Sequence, residues 1–536
     1  MRTDPVTRRT MLGRSAAAGG ALTLGALLPG EAMAAGRSTG TADATANAAA
    51  AAKKGGYERI GVRPLINGRG TYTVLSGSLI LPEVREAIDA ASRQYVQLDE
   101  LADGVGRRLG ELTGAGFGMV SSGCSAALTH ASAACTAGGN PDLHIQIPDL
   151  RGFTKTEAVI PKHSRNVYEA AISAVGLKVV EVDTREEMKA ALGPQTALVY
   201  VFAMPRVDES ELDLKTIAEL AHAEDVPVLV DAAAEVLTIP NVHLERGADL
   251  VAYSGGKALR GPQSAGMLLG REDLVRAAWV HSAPHHGYAR GFKVGKEEAM
   301  GMLAAVEMWV RRDHKAEYAK WTSWLKTIAK RVSAAVPGVT SELVQPEGLS
   351  NRTPTLNLYW DAEKRGVVGQ TIVDALWEGE PRIAINPASG KNPGQSGLAV
   401  TPYMLEPGDE KTIADHIVRR LKNPPPAPAK PKPPSVDASG TWSLEITYAA
   451  GSSSEHGLTL KQDGAKLTGT HRGDFVSRAA TGSVSADEVT VRSSYGEEHG
   501  DSLSYAFTGK LSGDEMSGRV DLGEYLKGSW KATRTS

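Results

Sequence analysis

The chain of 536 residues is too long for a single hydrophobic core, so we expect two or three domains. Its 59 lysines and arginines nearly balance its 62 aspartates and glutamates. This balance argues against nucleic acid as a partner, and it favours a small molecule or another protein. The two cysteines, Cys124 and Cys135, would lie roughly 16 Å apart in one alanine-rich helix, and we therefore expect no disulfide.

Residues 1–34 have the order of features that is typical of an export signal. The paired arginines Arg8 and Arg9 precede an apolar stretch at about residues 16–28, and small residues then form a cleavage site. The TRRTML segment resembles the twin-arginine signal, which implies the twin-arginine export machinery as a partner and a periplasmic or extracellular location. Glycine and proline interrupt the apolar stretch, so we expect no stable membrane insertion. Residues 35–56 predict a disordered leader.

A proline-rich stretch at residues 423–435, NPPPAPAKPKPPS, separates two parts of the chain that differ in their pattern of predicted strands and helices. Because proline fixes φ and removes a donor, we expect a stiff linker there. Before it, residues 57–422 alternate apolar strands such as TALVYVFAM with helical runs such as DLKTIAELAHAE. This rhythm predicts an α/β fold with a mostly parallel sheet and flanking helices. After it, residues 436–536 contain about eight short alternating strands, which predict an all-β antiparallel barrel-like domain.

Lys257 lies among small residues in AYSGGKALRGPQSAGMLLG, where a solvated surface lysine would normally have polar neighbours. Upstream, PVLVDAAAE places Asp231 at the carboxyl end of a buried parallel strand, the edge at which such sheets bind ligands. SSGCSAAL places Ser122 and Gly123 before a helix whose free N–H groups form a phosphate site. This order indicates a pyridoxal 5'-phosphate site of the aminotransferase kind. Lys257 would form the Schiff base, and Asp231 would keep the pyridine nitrogen protonated.

Four segments carry a resemblance to a known family: INGRGTYTVLSGSLILPEVREAI, SSGCSAAL, VDAAAE and SGGKALRGPQSAG. They resemble fold type I pyridoxal-phosphate enzymes of the family shared by selenocysteine synthase and D-glucosaminate-6-phosphate ammonia-lyase, and they are closer to the latter. The resemblance implies a large cofactor domain at about 57–310 and a small domain at about 311–422. It also implies a homo-oligomer with active sites near the subunit interfaces.

Further site residues follow from position and residue type. The stretch AVIPKHSRNVYEAAI resembles the one from which cysteine desulfurases place a histidine over the cofactor ring, which implies that His163 stacks there. Ser254 fits a phosphate contact, and Cys124 fits beside the phosphate as a small residue. Arginine is the usual partner of a substrate carboxylate. Three arginines are candidates for binding the substrate carboxylate, and the sequence does not favour one over another: Arg69, Arg260 and Arg382. The histidine-rich HSAPHHGYARG segment lacks carboxylates at ligand spacing, so we predict no metal site.

The family resemblance implies a pyridoxal-phosphate-dependent lyase that acts on a 3-hydroxy-2-amino acid, with amino-sugar acids among the substrates. Lys257 would remove the α-proton, the 3-hydroxyl would leave as water, and hydrolysis would yield a 2-oxo acid and ammonia. Export favours an unphosphorylated substrate. A racemase or aldolase on the same scaffold, and a non-catalytic binding protein, stay open as alternatives. For the barrel, a ligand-binding role and a packing role also stay open.

Overall fold

The structure is a computed structural model that describes residues 56–426, 431–497, 499–500 and 502–536. The predicted export signal lies outside the described residues, as do all of the predicted leader except Gly56 and four residues of the predicted linker. In the part of the chain that the structure describes, no helix is long and apolar enough to cross a membrane.

Residues 56–64 contain one short 3₁₀ turn, Glu58–Ile60. From Leu65 onwards strands and helices alternate. The strands up to residue 400 are β1 (Leu65–Asn67), β2 (Phe117–Ser121), β3 (Glu157–Pro161), β4 (Lys178–Val182), β5 (Thr196–Phe202), β6 (Val228–Asp231), β7 (Leu250–Ser254), β8 (Gly266–Gly270), β9 (Thr340–Val344), β10 (Thr355–Asp361), β11 (Arg382–Ala384), β12 (Asn386–Ser389) and β13 (Gln395–Val400).

The α-helices of the same part of the chain vary from single turns to more than twenty residues. They are α1 (Pro82–Ser92), α2 (Leu98–Thr113), α3 (Cys124–Ala137), α4 (Pro141–His144), α5 (Ala170–Ser173), α6 (Arg185–Ala191), α7 (Pro205–Asp208), α8 (Leu214–His222), α9 (Val242–Glu245), α10 (Glu272–Val280), α11 (Lys296–Arg311), α12 (His314–Ala335), α13 (Ala362–Arg365), α14 (Gly369–Trp377) and α15 (Asp409–Lys422).

Local sequence accounts for several of the helix ends. The Asp213 side chain accepts a hydrogen bond from Thr216 N at 2.7 Å, so it caps the free N–H groups at the start of α8. Gly114 ends α2 in the left-handed conformation, with φ of 75°, which glycine adopts without steric cost.

The largest sheet has seven strands in the order β2-β8-β7-β6-β5-β3-β4. Strand β8 runs antiparallel to both of its neighbours, and the other pairs are parallel. The sheet is therefore mostly parallel, as predicted. Its topology places the carboxyl ends of the parallel strands at one edge, together with the beginning of β8, and ligands bind at this edge in such sheets.

Helices cover both faces of this sheet. Alternate residues of β5 point to opposite faces of the sheet. Val199 and Val201 belong to the apolar core on one face, whereas Leu198 and Tyr200 belong to the core on the other. Helices α2, α8 and α11 contribute to the first core, and α3 and α10 contribute to the second. Helix α3 is buried on almost every side, and its many alanines allow it to lie close to the sheet.

A smaller unit follows α11. It contains the antiparallel sheet β12-β13-β10-β9 and an apolar core shared with α12, α14 and α15. Strand β1, far earlier in the chain, pairs in parallel with β11, with Leu65 opposite Arg382. The small domain predicted at about 311–422 therefore has a strand partner from the N-terminal side, which no local sequence pattern indicates.

Residues 436–536 form a closed barrel of eight antiparallel strands, which confirms the barrel-like prediction. The strands are β14 (Gly440–Thr447), β15 (Ser453–Asp463), β16 (Lys466–Arg472), β17 (Ser477–Ser485), β18 (Glu488–Gly496), β19 (Ser502–Ser512), β20 (Glu515–Asp521) and β21 (Lys527–Arg534). Each strand pairs with the next, and β14 pairs with β21 to close the barrel. Closure leaves no free sheet edge in this domain.

Both cysteines lie in α3, as predicted. Cys124 is its first residue, Cys135 lies near its end, and both are buried free thiols. Eleven residues of helix separate them by roughly 16 Å, which is beyond disulfide reach.

Candidate active site

The ends of three neighbouring strands meet at the ligand-binding edge of the large sheet. Ser121, the last residue of β2, lies opposite Gly266, and Gly266 lies opposite Ser254, the last residue of β7. This register brings the segment that precedes α3 next to the segment that precedes Lys257. Of the predicted phosphate residues, Ser122 directly follows β2 and Ser254 ends β7, two strands separated only by β8, and both serines are half-buried.

The N-terminus of α3 has the form of an anion site. Gly123 caps the helix with φ of 95°, and the Ser121 hydroxyl donates to the Gly123 carbonyl at 2.8 Å. A Cβ added to Gly266 would lie 2.5 Å from the Gly123 carbonyl carbon and 2.7 Å from Cys124 N, so only glycine permits this close approach. The first N–H groups of a helix have no partner within it, and together with the helix dipole they attract a phosphate.

Asp231 ends β6 and is almost fully buried, with an exposed fraction of 1%. Its Oδ1 accepts a hydrogen bond from Ala233 N at 3.0 Å and lies 3.5 Å from the Cys124 thiol. Its Oδ2 accepts from the Tyr200 hydroxyl at 3.0 Å. A carboxylate has about four acceptor positions, so these three donors leave one for a further N–H group.

The pKa of the Asp231 carboxyl is raised, because burial outweighs the contacts that oppose it. Burial raises the pKa of its carboxyl, whereas the donors from Ala233, Tyr200 and Cys124 and the positive charge of Lys257 lower that pKa. Burial and the nearby Asp231 charge also hold the pKa of the Cys124 thiol well above its usual range. The thiol therefore stays neutral at Asp231 and acts there as a weak donor, not as a nucleophile.

Lys257 is half-buried in a tight loop between β7 and β8. A Cβ on Gly256 would lie 2.7 Å from the Gln263 Cα, and one on Gly255 would lie 2.6 Å from the Met302 sulfur. On the outer side, a Cβ on Gly77 would lie 2.8 Å from the Gly256 carbonyl oxygen. The small residues around Lys257 are thus required by close packing on several sides.

Among the described residues, the hydrogen bonds of His163 go to Ser164 and Leu212 and not to Asp231. The His163 Nε2 hydrogen-bonds the Leu212 carbonyl at 3.1 Å, and Leu212 belongs to the core on the opposite face of the sheet from α3. Burial lowers the pKa of His163. Three residues later, the Asn166 side-chain amide donates to the Tyr200 hydroxyl at 3.0 Å. The stacking role of His163 stays a prediction, and Asn166 is the residue of this stretch that reaches the Asp231 network.

The three predicted arginines have different surroundings. Within the part of the chain that the structure describes, the buried Nε of Arg69 has no hydrogen-bond partner, and its guanidinium carbon lies 4.9 Å from the centre of the Tyr72 ring. Arg260, with φ of 57°, donates through Nε to the Leu79 carbonyl at 2.9 Å, and burial lowers its pKa. Arg382 donates through Nε to the Trp377 carbonyl at 3.1 Å and lies over the ring of the same residue.

Comparison with known proteins shows the family to which this chain belongs. Residues 162–284 match the family model of class V aminotransferases. D-glucosaminate-6-phosphate ammonia lyase of Salmonella typhimurium is 30% identical over 300 residues, which are 54% of this chain and 78% of the relative. A solved structure of D-glucosaminate-6-phosphate ammonia-lyase matches with a TM-score of 0.61 and 26% identity, over 69% of this chain and 100% of the other. The chain belongs to this family of fold type I pyridoxal-phosphate enzymes.

A second relative in this family is the 5'-C-glycyluridine monooxygenase-decarboxylase of a Streptomyces species. It is 31% identical over 380 residues, which are 68% of this chain and 91% of the relative. The family assignment, its cofactor and a lyase activity agree with what the sequence predicted. The alternative of a non-catalytic binding protein is wrong.

The residues at the sheet edge fit pyridoxal phosphate. The start of α3 supplies N–H groups for the phosphate. The absence of a side chain at Gly266 allows this helix start to lie close to β8. The free acceptor position of Asp231 suits a pyridine N–H, and the positive charge of Lys257 acts on Asp231 from the neighbouring loop. These residues would hold the phosphate, the ring nitrogen and the aldehyde carbon respectively.

Sequence reasoning missed two members of this site, Tyr200 and Asn166. Tyr200 is the single aromatic hydroxyl within TALVYVF, a strand that is apolar apart from its first residue, Thr196, and a buried tyrosine usually needs a hydrogen-bond partner. That signal indicates a polar contact but does not identify Asp231, which lies on the neighbouring strand.

Proposed function

We propose that this pyridoxal-phosphate lyase eliminates water from a 3-hydroxy-2-amino acid and releases ammonia. The observation that carries the proposal is the arrangement of Lys257, Asp231 and the α3 N-terminus in a chain 30% identical to an ammonia lyase whose name contains D-glucosaminate 6-phosphate. The net reaction removes ammonia, because the water lost from carbons 2 and 3 returns when the enamine is hydrolysed. The product is a 2-oxo-3-deoxy acid.

Each residue has a distinct task in this proposal. The cofactor, when bound, supplies an electron sink that acidifies the proton on carbon 2 of the substrate. Asp231 keeps a negative charge in a buried position, where it favours a protonated ring nitrogen. Lys257 removes the proton from carbon 2, and the same ammonium can then deliver a proton to the leaving 3-hydroxyl. The α3 N-terminus binds the phosphate and so keeps the substrate in position for proton transfer by Lys257.

Arg69 is our proposed partner for the substrate carboxylate. Its buried Nε lacks a hydrogen-bond partner, whereas the Nε atoms of Arg260 and Arg382 already donate to backbone carbonyls. Arg69 also begins the segment that continues to Gly77, which packs against the Lys257 loop. We expect Arg69→Met to raise KM by tenfold or more and Arg382→Met to change it by less than threefold. Equal effects on KM would contradict this ranking.

The experiment that tests the function combines a spectrum with two product assays. Purified protein should show a cofactor absorption band near the visible edge, and it should release ammonia and a 2-oxo acid in equal amounts from D-glucosaminate. Lys257→Ala should lose the lysine-dependent band and reduce turnover by at least a thousandfold. Lys364→Ala, at an exposed lysine of α13, is the matched control and should change neither. A band without ammonia release would contradict the elimination.

Decarboxylation is the second candidate, because the relative with 91% coverage is named as a monooxygenase-decarboxylase. The same site would then break the bond between carbon 2 and the carboxylate. Carbon dioxide release in place of ammonia would decide for this reaction. Racemisation would exchange the proton on carbon 2 without either product, and aldol cleavage would release glycine.

We also propose that the protein is exported through its twin-arginine segment after loading the cofactor, and therefore meets an unphosphorylated substrate. The support is the order of Arg8, Arg9, the apolar stretch and the cleavage site in the sequence. Fusion of residues 1–56 to a fluorescent reporter should place the reporter outside the cytoplasm, and changing both arginines to lysine should retain it inside. Activity on glucosaminate 6-phosphate alone would overturn the substrate part of the proposal.

A further inference from the structure

The barrel interior is divided into two layers of different chemistry. Toward one end, apolar side chains fill the space, including the fully buried Trp442, Phe507 and Trp530. Toward the other end, inward positions carry polar groups: His456, His471, Arg478, Ser493 and Tyr505. Strand pairing places these groups together, because Arg478 lies opposite His471 on the next strand and Ser493 lies opposite Tyr505.

This polar end opens into a cavity of about 710 Å³. Its walls include the aromatic side chains of Tyr448, Phe475 and Tyr505 and the apolar side chains of Leu503 and Leu522. Such a size and lining suit a small organic molecule, because ligand pockets in proteins usually range from about 300 to 1,000 Å³ and are mostly apolar.

Arg478 is the unusual residue of this cavity. Its exposed fraction is 8%, yet its Nε and Nη1 atoms have no hydrogen-bond partner among the described residues. Its guanidinium carbon lies 4.9 Å from the centre of the Tyr505 ring, which holds the group in place. No carboxylate lies within 4.0 Å of Arg478 among the described residues. A buried guanidinium with unused donors is costly unless a ligand completes its hydrogen bonds.

The neighbouring polar groups satisfy Arg478 only in part. The Tyr505 hydroxyl hydrogen-bonds its guanidinium, but Nε and Nη1 receive no partner within the described chain, and the other polar groups bond to one another. A chain of hydrogen bonds runs from the Tyr448 hydroxyl through Ser454, His456 and His471 to the Ser493 hydroxyl, with separations of 2.6, 3.1, 2.8 and 2.7 Å. Burial lowers the pKa of both histidines, to about 3 for His471, so they add no positive charge at neutral pH.

Two carboxylates also line this cavity, and both are exposed to solvent. Asp474 lies 3.8 Å from His456 Nε2 with a side-chain exposure of 55%, and Glu497 is likewise exposed. Water screens their charges more than it screens the buried guanidinium. The cavity therefore combines a negative outer part with a positive inner end, which orients a ligand with its anionic group inward.

We infer that the barrel binds a small aromatic or apolar carboxylate, whose carboxylate group pairs with Arg478 and whose body fills the tyrosine-lined cavity. The planar guanidinium forms two parallel hydrogen bonds to a carboxylate, and the apolar walls bury the remainder of the molecule. This site is independent of the lyase reaction proposed above.

Binding of 4-fluorobenzoate to the full-length holoenzyme, followed by fluorine NMR, tests the site. The uncharged isostere 4-fluorobenzamide should bind at least tenfold more weakly. Arg478→Met should remove this preference and leave lyase turnover unchanged. The control Arg472→Met, at an exposed position on β16, should retain it. Equal binding of the two probes to the wild-type protein, or an unchanged preference in Arg478→Met, would overturn the inference.

A second measurement needs no variant and covers the case in which Arg478→Met does not fold. Irradiation with 4-azidobenzoate should label peptides of residues 472–512, and an excess of 4-fluorobenzoate should prevent the labelling. Labelling confined to residues 57–422 would overturn the inference. Displacement of the probe by inorganic phosphate at equal concentration would overturn the assignment to a carboxylate.

Discussion

Tyr200 and Asp231 show how a buried charge is maintained at the active site. Burial raises the pKa of the Asp231 carboxyl, and the Tyr200 hydroxyl is one of the donors that lower it. The Asn166 amide donates in turn to the Tyr200 oxygen and so orients its hydroxyl toward Asp231. The charge that favours a protonated cofactor ring thus depends on a residue that need not touch the cofactor.

Tyr200→Phe should reduce kcat/KM by about ten- to 150-fold, because a hydrogen bond to a charged group contributes about 1.5 to 3 kcal/mol. The pKa of Asp231 should rise further in this variant, so the acidic limb of the pH–rate profile should move to higher pH. Tyr253→Phe is the matched control. Tyr253 is a buried tyrosine of β7, on the other side of β6 from Tyr200, and its hydroxyl bonds to Asn241 and not to Asp231. An acidic limb that stays in place in Tyr200→Phe would contradict this role.

The strand β8 and the helix α3 illustrate how elements form a site by close approach. The antiparallel β8 lies between β2 and β7, and its first residue, Gly266, faces the start of α3. A side chain at this position would push the helix N-terminus away from the sheet edge. The phosphate site therefore depends on one glycine in a strand that contributes no group to the cofactor.

Gly266→Ala should weaken cofactor binding at least tenfold, because the added Cβ would lie within 2.8 Å of three backbone atoms of Gly123 and Cys124. Titration of the apoenzyme with pyridoxal phosphate measures this change. Gly104→Ala in α2 is the control, since its Cβ meets no atom within 4 Å, and alanine there should stabilise the helix by about 1 kcal/mol. Unchanged cofactor affinity in Gly266→Ala would show that α3 can shift without loss of the phosphate site.

The described chain contains an α/β lyase unit followed by a closed β-barrel. Their sensitivity to acid has a common origin in buried neutral histidines. Burial lowers the pKa to about 4 for His130 and His281 in the first and to about 3 for His471 in the second. Because the unfolded chain binds these protons near pH 6.5, folding loses stability as the pH falls below that value.

For His471 the expected loss between pH 7 and pH 5 is about 2 kcal/mol. Calorimetry should show the barrel transition moving to lower temperature over this range. In His471→Gln this shift of the transition temperature between pH 7 and pH 5 should be smaller by roughly 8 to 16 °C, whatever the change in absolute stability. His499→Gln, in a turn of the same barrel, serves as the control. The same pH dependence in His471→Gln and the wild type would exclude His471 as its source.

Features that depend on local pattern could be predicted from the amino-acid sequence alone. Strand and helix alternation, the proline-rich boundary and the short barrel strands are read from periodicity and turn residues, and Lys257 and Asp231 stand in recognisable segments at strand ends. Contacts between distant segments became visible only in the folded structure. They are the hydrogen bond from the Tyr200 hydroxyl to Asp231, the hydrogen bond between His163 and the Leu212 carbonyl, the pairing of β1 with β11, and the buried Arg478 whose Nε and Nη1 have no partner among the described residues. The physical reason is that a side chain's partners depend on strand order and register, and these are set by packing across the whole fold.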